Sequence, residues 1–212
     1  MASVLTRKGR EMIAGRLGAV GNAEPKIIAW GVPSAQFTAA NSDVALFAEN
    51  LGEARVTGTS SVVTTTTSND TYQVVGTLTA GGNRAVTEVS LQDSTTQPSQ
   101  AAVAAGGVQG SSSNTTLNTS ATYSPGNGNY IQIRTEVMQV TAGSGTTALT
   151  VVRGQNGSTA ISTIAVSDVV TAGNIPGSTA TTGGSMLAHF DFAVINLASG
   201  NTLQSTLQVQ FS

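Results

Sequence analysis

The only histidine of the chain, His189, stands two residues before Asp191 in "AHFDFAV". An imidazole beside a carboxylate is the minimum from which a hydrolase builds a general base. On an extended strand, residues two apart share a face, so His189 and Asp191 point one way and Phe190 and Phe192 the other. A serine completing a triad calls for a Gly-x-Ser-x-Gly elbow, and none is present. Adjacent strand residues also rarely hold the geometry in which an acid orients a base. The expectation is two polar residues on the outside of a strand whose phenylalanines fill the core. His189→Ala would then change stability only slightly.

Two other constellations invite the same question. In "EVMQVTAGSGTTALTVVRGQNGST" two Val-rich strands flank a Gly-Ser-Gly turn, and an Arg153-Gly-x-x-Gly corner follows. Gly154 and Gly157 suit backbone of positive φ, and Asn156-Gly157 is a strong turn signal. A phosphate-cradling loop needs a Lys-Ser or Lys-Thr pair at a helix start, and no such lysine follows. Arg153 therefore reads as a rim residue pairing with Glu136 or with solvent. Glu49 and Glu53, four apart, read as one face of a short helix and not as an acid/base pair. Cysteine is absent and histidine single, which removes thiolate, disulfide and multi-histidine metal chemistry together. No catalytic, cofactor-binding or metal-ligating residue is expected. Sequons such as Asn114-Thr-Thr and Asn156-Gly-Ser are chance products of an Asn- and Thr-rich chain.

Composition limits what must position these residues. The 212 residues suffice for one β domain or two small ones. Charged residues make up 9 %, against about 25 % in an ordinary globular domain, so the polar surface falls to Thr, Ser, Asn and Gln. Net charge is −2, which gives no field to attract nucleic acid or an anionic lipid surface. Arg7, Lys8, Arg10, Arg16 and Lys26 crowd the opening segment. They read as the solvated face of a short helix capped by Thr6, with Met12, Ile13, Leu17 and Val20 turned inward. The alternative is a basic arm docking on an acidic neighbour. The opening lacks the continuous apolar run of a signal peptide, and no stretch is long enough to span a bilayer, so the expected place of synthesis is a cytoplasm.

Beyond the helix the period is two. Tyr72, Val74 and Leu78 oppose Thr71, Gln73, Thr77 and Thr79, and at the end Leu203, Leu207, Val209 and Phe211 alternate with Gln204, Thr206, Gln208 and Gln210. Further strands are expected over 26–30, 55–65, 84–91, 130–140, 148–153, 161–170 and 186–195, mostly bounded by Gly, Asn, Asp or Pro. So many strands after one helix indicate a mainly β fold, an antiparallel sandwich or jelly-roll-like body. Residues 93–129 contain almost no large apolar side chain and read as a long loop or a linker, and "TAGNIPGSTATTGGS" is a second polar stretch ending at Ser185. The expected organisation is a discontinuous body of residues 1–92 plus 186–212, with an inserted Gly/Ser/Thr-rich loop and β region at 93–185.

The motifs "VLTRKGREMIAGRL…EPKIIAWG", "DVALFAE", "SNDTYQVVGTLTA", "AVTEVSLQD" and "MLAHFDFAVINLASGNTLQSTLQVQFS" resemble a family of small virion structural proteins of tailed bacteriophages. The resemblance covers both ends of the chain, and the central "EVMQV…LTVVRGQNGST" is similar to an insertion found in phage particle proteins. It implies a virion address, with synthesis in the bacterial host cytoplasm, and no reaction. The expected function is that of a cement or decoration protein on the capsid exterior, with the major capsid protein lattice and copies of itself as partners in a homo-oligomer. The alternative is a tail or fibre component whose polar loops, such as residues 126–129, contact a host-surface glycan. Sugar faces usually meet aromatic rings, and besides the phenylalanines only Trp30, Tyr72, Tyr123 and Tyr130 are available. That scarcity favours the capsid role.

Overall fold

Among the described residues, alternating apolar and Thr/Gln positions build fourteen strands, and one short α-helix packs against them. The computed structural model describes residues 2–20, 23–106, 111–178 and 183–211. Residues 107–110 and 179–182, parts of the two small-residue stretches, lie outside them. In chain order the elements are β1 (Ala2–Leu5), α1 (Arg7–Leu17), β2 (Ile27–Gly31), β3 (Val56–Thr57), β4 (Thr59–Val63), β5 (Thr71–Thr79), β6 (Arg84–Gln92) and β7 (Gln100–Ala102). Then follow β8 (Thr116–Tyr123), β9 (Tyr130–Ile133), β10 (Glu136–Ala142), β11 (Thr146–Val152), β12 (Val169–Gly173), β13 (Met186–Leu197) and β14 (Thr202–Gln210).

Strands from the two ends of the chain form a sandwich. A five-stranded sheet of order β1-β13-β6-β2-β3 packs on a three-stranded sheet of order β14-β5-β4. Between them lies a core that includes Trp30, Val74, Leu78, Val89, Leu91, Phe190 and Leu207. The chain changes sheets at Gly58, between β3 and β4, where an added Cβ would lie 2.5 Å from Val74. That crossing joins the two sheets on one side, and a cleft of about 380 Å³ between β1 and the end of β14 leaves the other side open.

The remaining strands form a separate antiparallel sheet of order β7-β12-β9-β10-β11-β8. A bridge between Val103 and Thr119, with Ala104 N–H donating to Asn118 at 3.0 Å, brings its two ends together, so the sheet is a nearly closed small barrel. Leu117, Tyr123, Ile131, Ile133, Met138, Val140, Leu149 and Val151 are among the side chains that fill it. The β10–β11 hairpin turns through Gly143 and Gly145, both at positive φ, as the Gly-Ser-Gly signal predicts. The mainly β class, the antiparallel sheets and the N-terminal helix follow the reading of the sequence.

Several local expectations are corrected. The single strand expected over 130–140 is the hairpin β9–β10, turned at Arg134, which adopts φ of 50°. Residues 93–129 contain β7 and β8, whose small polar outward side chains hid them; Leu117, Thr119 and Tyr123 supply the inward face. Of the strand expected over 161–170 only its end forms, as the start of β12. Glu49 and Glu53 lie on an irregular segment and on no helix. Thr6 does cap α1, accepting from Gly9 N–H at 2.9 Å. Gly9 is needed there, because a Cβ would come within 2.1 Å of the Leu187 carbonyl oxygen on β13. Met12 is buried, but the last turn of α1 runs past the sheet, so Leu17 and Val20 are 84 % and 70 % exposed.

The register of β14 sets up a direct test. Leu207 and Val209 are buried and Gln208 is exposed, whereas Phe211, beyond the strand, is 48 % exposed, contrary to the alternation. Leu207→Asp is expected to destabilise the protein by at least about 3 kcal/mol, because it places an unpaired carboxylate in the core. Gln208→Asp should change stability by less than about 0.5 kcal/mol and Phe211→Asp by about 1 kcal/mol. Chemical denaturation of the three variants checks this, and equal effects at Leu207 and Gln208 would contradict the register.

Candidate functional site

Residues 32–55, between β2 and β3, form a strap that covers the five-stranded sheet on the side away from the sandwich core. This strap is why β13 is not half wet: Met186 through Phe192 are all buried, with phenylalanines facing the sandwich core and His189 and Asp191 facing the strap. The shared face of His189 and Asp191 is as the sequence predicts, but it is interior, and the expected exterior placement is wrong. Strand periodicity shows which residues share a face. It does not show whether a distant segment covers that face.

At the centre, His189 is fully buried between two carboxylates. Its Nδ1 lies 2.8 Å from Asp43 Oδ2 and its Nε2 2.8 Å from Glu88 Oε2. The Phe47 ring lies against it, with centroids 4.8 Å apart. Both carboxylates take further donors. Glu88 accepts from the N–H groups of Phe47 and Ala48 at 3.1 and 3.0 Å. Asp43 accepts from Ala40 N–H at 2.7 Å and from Gln132 Nε2 at 3.1 Å. Gln132 belongs to barrel strand β9, and its Oε1 accepts from Val44 and Ala45 N–H at 2.7 and 3.1 Å. Asp191 accepts from Ala39 N–H at 2.7 Å. Sandwich, strap and barrel therefore meet at one hydrogen-bonded centre. Gly31 makes room for it, since a Cβ there would lie 2.0 Å from Glu88 Oε1.

Electrostatics follow from this enclosure. Burial by itself would lower the pKa of His189, but the hydrogen bonds to Asp43 and Glu88 and their charges overcome it and push the imidazole up to about 9. Burial pushes the Asp43 carboxyl up, with His189 acting in the opposite sense. At neutral pH the ring is an imidazolium that donates from both nitrogens. A general base needs a free lone pair and a path to substrate, and His189 in this arrangement offers neither.

The other charged candidates are placed in the same manner. Glu49 forms a sealed bidentate pair with Arg55, both bonds 2.7 Å, and Arg55 Nη1 also donates to the carbonyls of Ser94 and Gly183 at 2.8 and 2.6 Å. Glu53 instead takes Arg84 and the N–H of Gly81. Arg153 pairs with Glu136 as expected, through two bonds of 2.6 Å, but the pair is buried and not on a rim. The chain from Gly154 to Ile161 folds over it, with the N–H groups of both residues donating to Glu136 at 3.0 and 2.9 Å. Gly154, Asn156 and Gly157 all have positive φ, and Asn156 Nδ2 reaches the Ser42 carbonyl of the strap at 2.8 Å. The corner is a brace. Among the described residues no group of three or more His, Asp or Glu side chains is placed to hold a metal ion.

No protein-family model, curated protein or solved structure matches the chain. What the chain itself adds is a convergence. The quoted stretches "AWG", "DVALFAE", "TEV" and "HFDF" supply Gly31, Asp43, Glu49, Glu88, His189 and Asp191, and all of these meet at or beside the strap. Asp43, Glu88 and Gln132 are members that sequence reasoning missed. One signal pointed to two of them: an acid set within an apolar run of a charge-poor chain needs a buried partner. Gln132 carried no such signal, because a glutamine in a strand is ordinary.

Proposed function

We propose that the chain is a non-enzymatic virion structural protein of a tailed bacteriophage, a cement or decoration protein that binds the outside of the assembled capsid and stabilises it. The observation that carries this reading is the placement of charge. Asp43, Glu49, Glu88 and Glu136 are buried against His189, Arg55 and Arg153. The outer sheet β4-β5-β14, by contrast, contains no charged residue and presents mostly Thr, Ser and Gln, with Val62 also exposed. Buried ionic braces suit a part that must hold its shape in a particle, and an uncharged surface suits contacts through backbone and short polar groups. The resemblance of both chain ends to phage particle proteins supports the same address. Partners are the major capsid protein lattice and further copies of the chain.

A specific cleft favours the second reading, a tail or fibre part that binds host glycan. Trp30 and Tyr123 are buried, but Tyr130 lines an open cleft of about 290 Å³ with Gly128, Asn129, Pro176 and Ser178. One ring in a polar cleft is a modest sugar platform, so the capsid reading is preferred. To test it, purified protein is mixed in parallel with capsids assembled without it and with host cells, and bound copies are counted by densitometry. Saturation at a multiple of the lattice sites, with raised heat resistance of the capsids, is the expected result. Binding to cells alone, or to neither, would refute the proposal.

A further inference from the structure

Among the described residues, one edge of the sandwich is long and regular. The barrel is nearly closed by the Val103–Thr119 bridge, and the sandwich edges β1, β3 and β4 have four, two and five residues. Strand β14 has nine and pairs with β5 in unbroken register from Thr202↔Thr79 to Gln210↔Thr71, with no bulge. It contains no proline and no charged residue, so it lacks the devices by which natural proteins blunt an exposed edge. Among the described residues no backbone hydrogen bond joins its outer side to another element, and the cleft beside Gln208 and Gln210 leaves that end open.

We infer that β14 is a docking edge for the β14 of a second copy, paired antiparallel about a two-fold axis through Thr206. The sequence of the strand is self-complementary in that register. Thr202 falls opposite Gln210 of the second copy, Gln204 opposite Gln208, and Thr206 opposite itself, all on the outer face. On the inner face Leu203 meets Val209 and Ser205 meets Leu207, so the buried faces of the two copies are continuous and a six-stranded sheet results. Although each copy has net charge −2, none of β4, β5 or β14 contains a charged residue, so nothing on the joined sheet repels. The existing pair Gln208–Gln73, with Nε2 donating to Oε1 at 2.8 Å, gives the pattern that Gln204 and Gln208 would repeat across the new interface. The inference rests on the proposed function only in taking copies of the chain as partners.

The test is sedimentation velocity on the full chain and three variants at exposed β14 positions, where melting curves should match wild type. The wild-type protein is expected to dimerise. Thr206→Lys sets two ammonium groups against each other on the axis, and Gln204→Lys/Gln208→Lys creates two like-charged pairs; each is expected to raise the dissociation constant at least about tenfold. Gln204→Lys/Gln208→Glu carries as many substitutions but places Lys opposite Glu twice, and should keep the dimer. A wild-type monomer at the highest soluble concentration would overturn the inference, as would three variants that dimerise alike. A monomer that still saturates capsids would overturn the strand pairing alone and leave the functional reading standing.

Discussion

Replacing His189 with alanine is expected to destabilise the protein by about 3–5 kcal/mol, because it leaves Asp43 and Glu88 buried without their shared cation. For a chain of this length that is a fall in melting temperature on the order of 10 °C. The small effect expected from sequence assumed a solvent-facing imidazole, and the structure removes that premise. The pH dependence gives the loss a signature. The folded-state pKa of His189 is raised to about 9 from 6.5, so its stabilising contribution is complete below pH 6.5, declines as pH rises, and is lost above about 9. The total is on the order of 3 kcal/mol. Thermal melts between about pH 6 and 10 should therefore show wild type weakening across that window and His189→Ala staying nearly level. A variant as stable as wild type at neutral pH, or one with the same slope, would contradict the assignment.

Arg55→Ala is expected to have an effect of similar size, about 3–5 kcal/mol, by a different route. It strips Glu49 of the Arg55 cation in a sealed position and removes the Nη1 donor from the Ser94 and Gly183 carbonyls. These carbonyls flank the point where the chain leaves the sandwich for the barrel and returns, where Asp93 Oδ1 also accepts from Ser185 N–H at 2.6 Å. Arg55→Lys should recover little. One ammonium cannot make a bidentate carboxylate pair and serve two further carbonyls. Hydrogen exchange is the informative readout: amides around Asp93 and Ser185 should lose protection before those of the barrel interior. Unchanged protection there in Arg55→Ala would refute the clamp.

Local pattern made much of this fold legible. The alternation in β5 and β14, the Gly-Ser-Gly hairpin and the Thr6 cap are each decided by a few neighbouring residues, and each appears where the sequence puts it. The features that were misread depend on distant chain. β13 reads as half exposed because nothing within it signals that residues 36–48 lie over its second face. Residues 93–129 read as loop because a small barrel accepts Thr, Ser and Asn on its outer face, leaving few large apolar side chains to mark β7 and β8. At the site, the shared face of His189 and Asp191 was legible, as was the pairing of Arg153 with Glu136. The closure of the centre was not, because Asp43, Glu88 and Gln132 come from a strap and two different sheets.

His189 is held as an imidazolium between Asp43 and Glu88, where it serves as a structural cation. Nitrogen-15 NMR of the His189 side chain near neutral pH reads that protonation state. Both ring nitrogens are expected to be protonated and slow to exchange, with the proton lost only as pH approaches about 9. A neutral ring at neutral pH, with one bare nitrogen, would contradict this role and would return to His189 the lone pair that base chemistry requires.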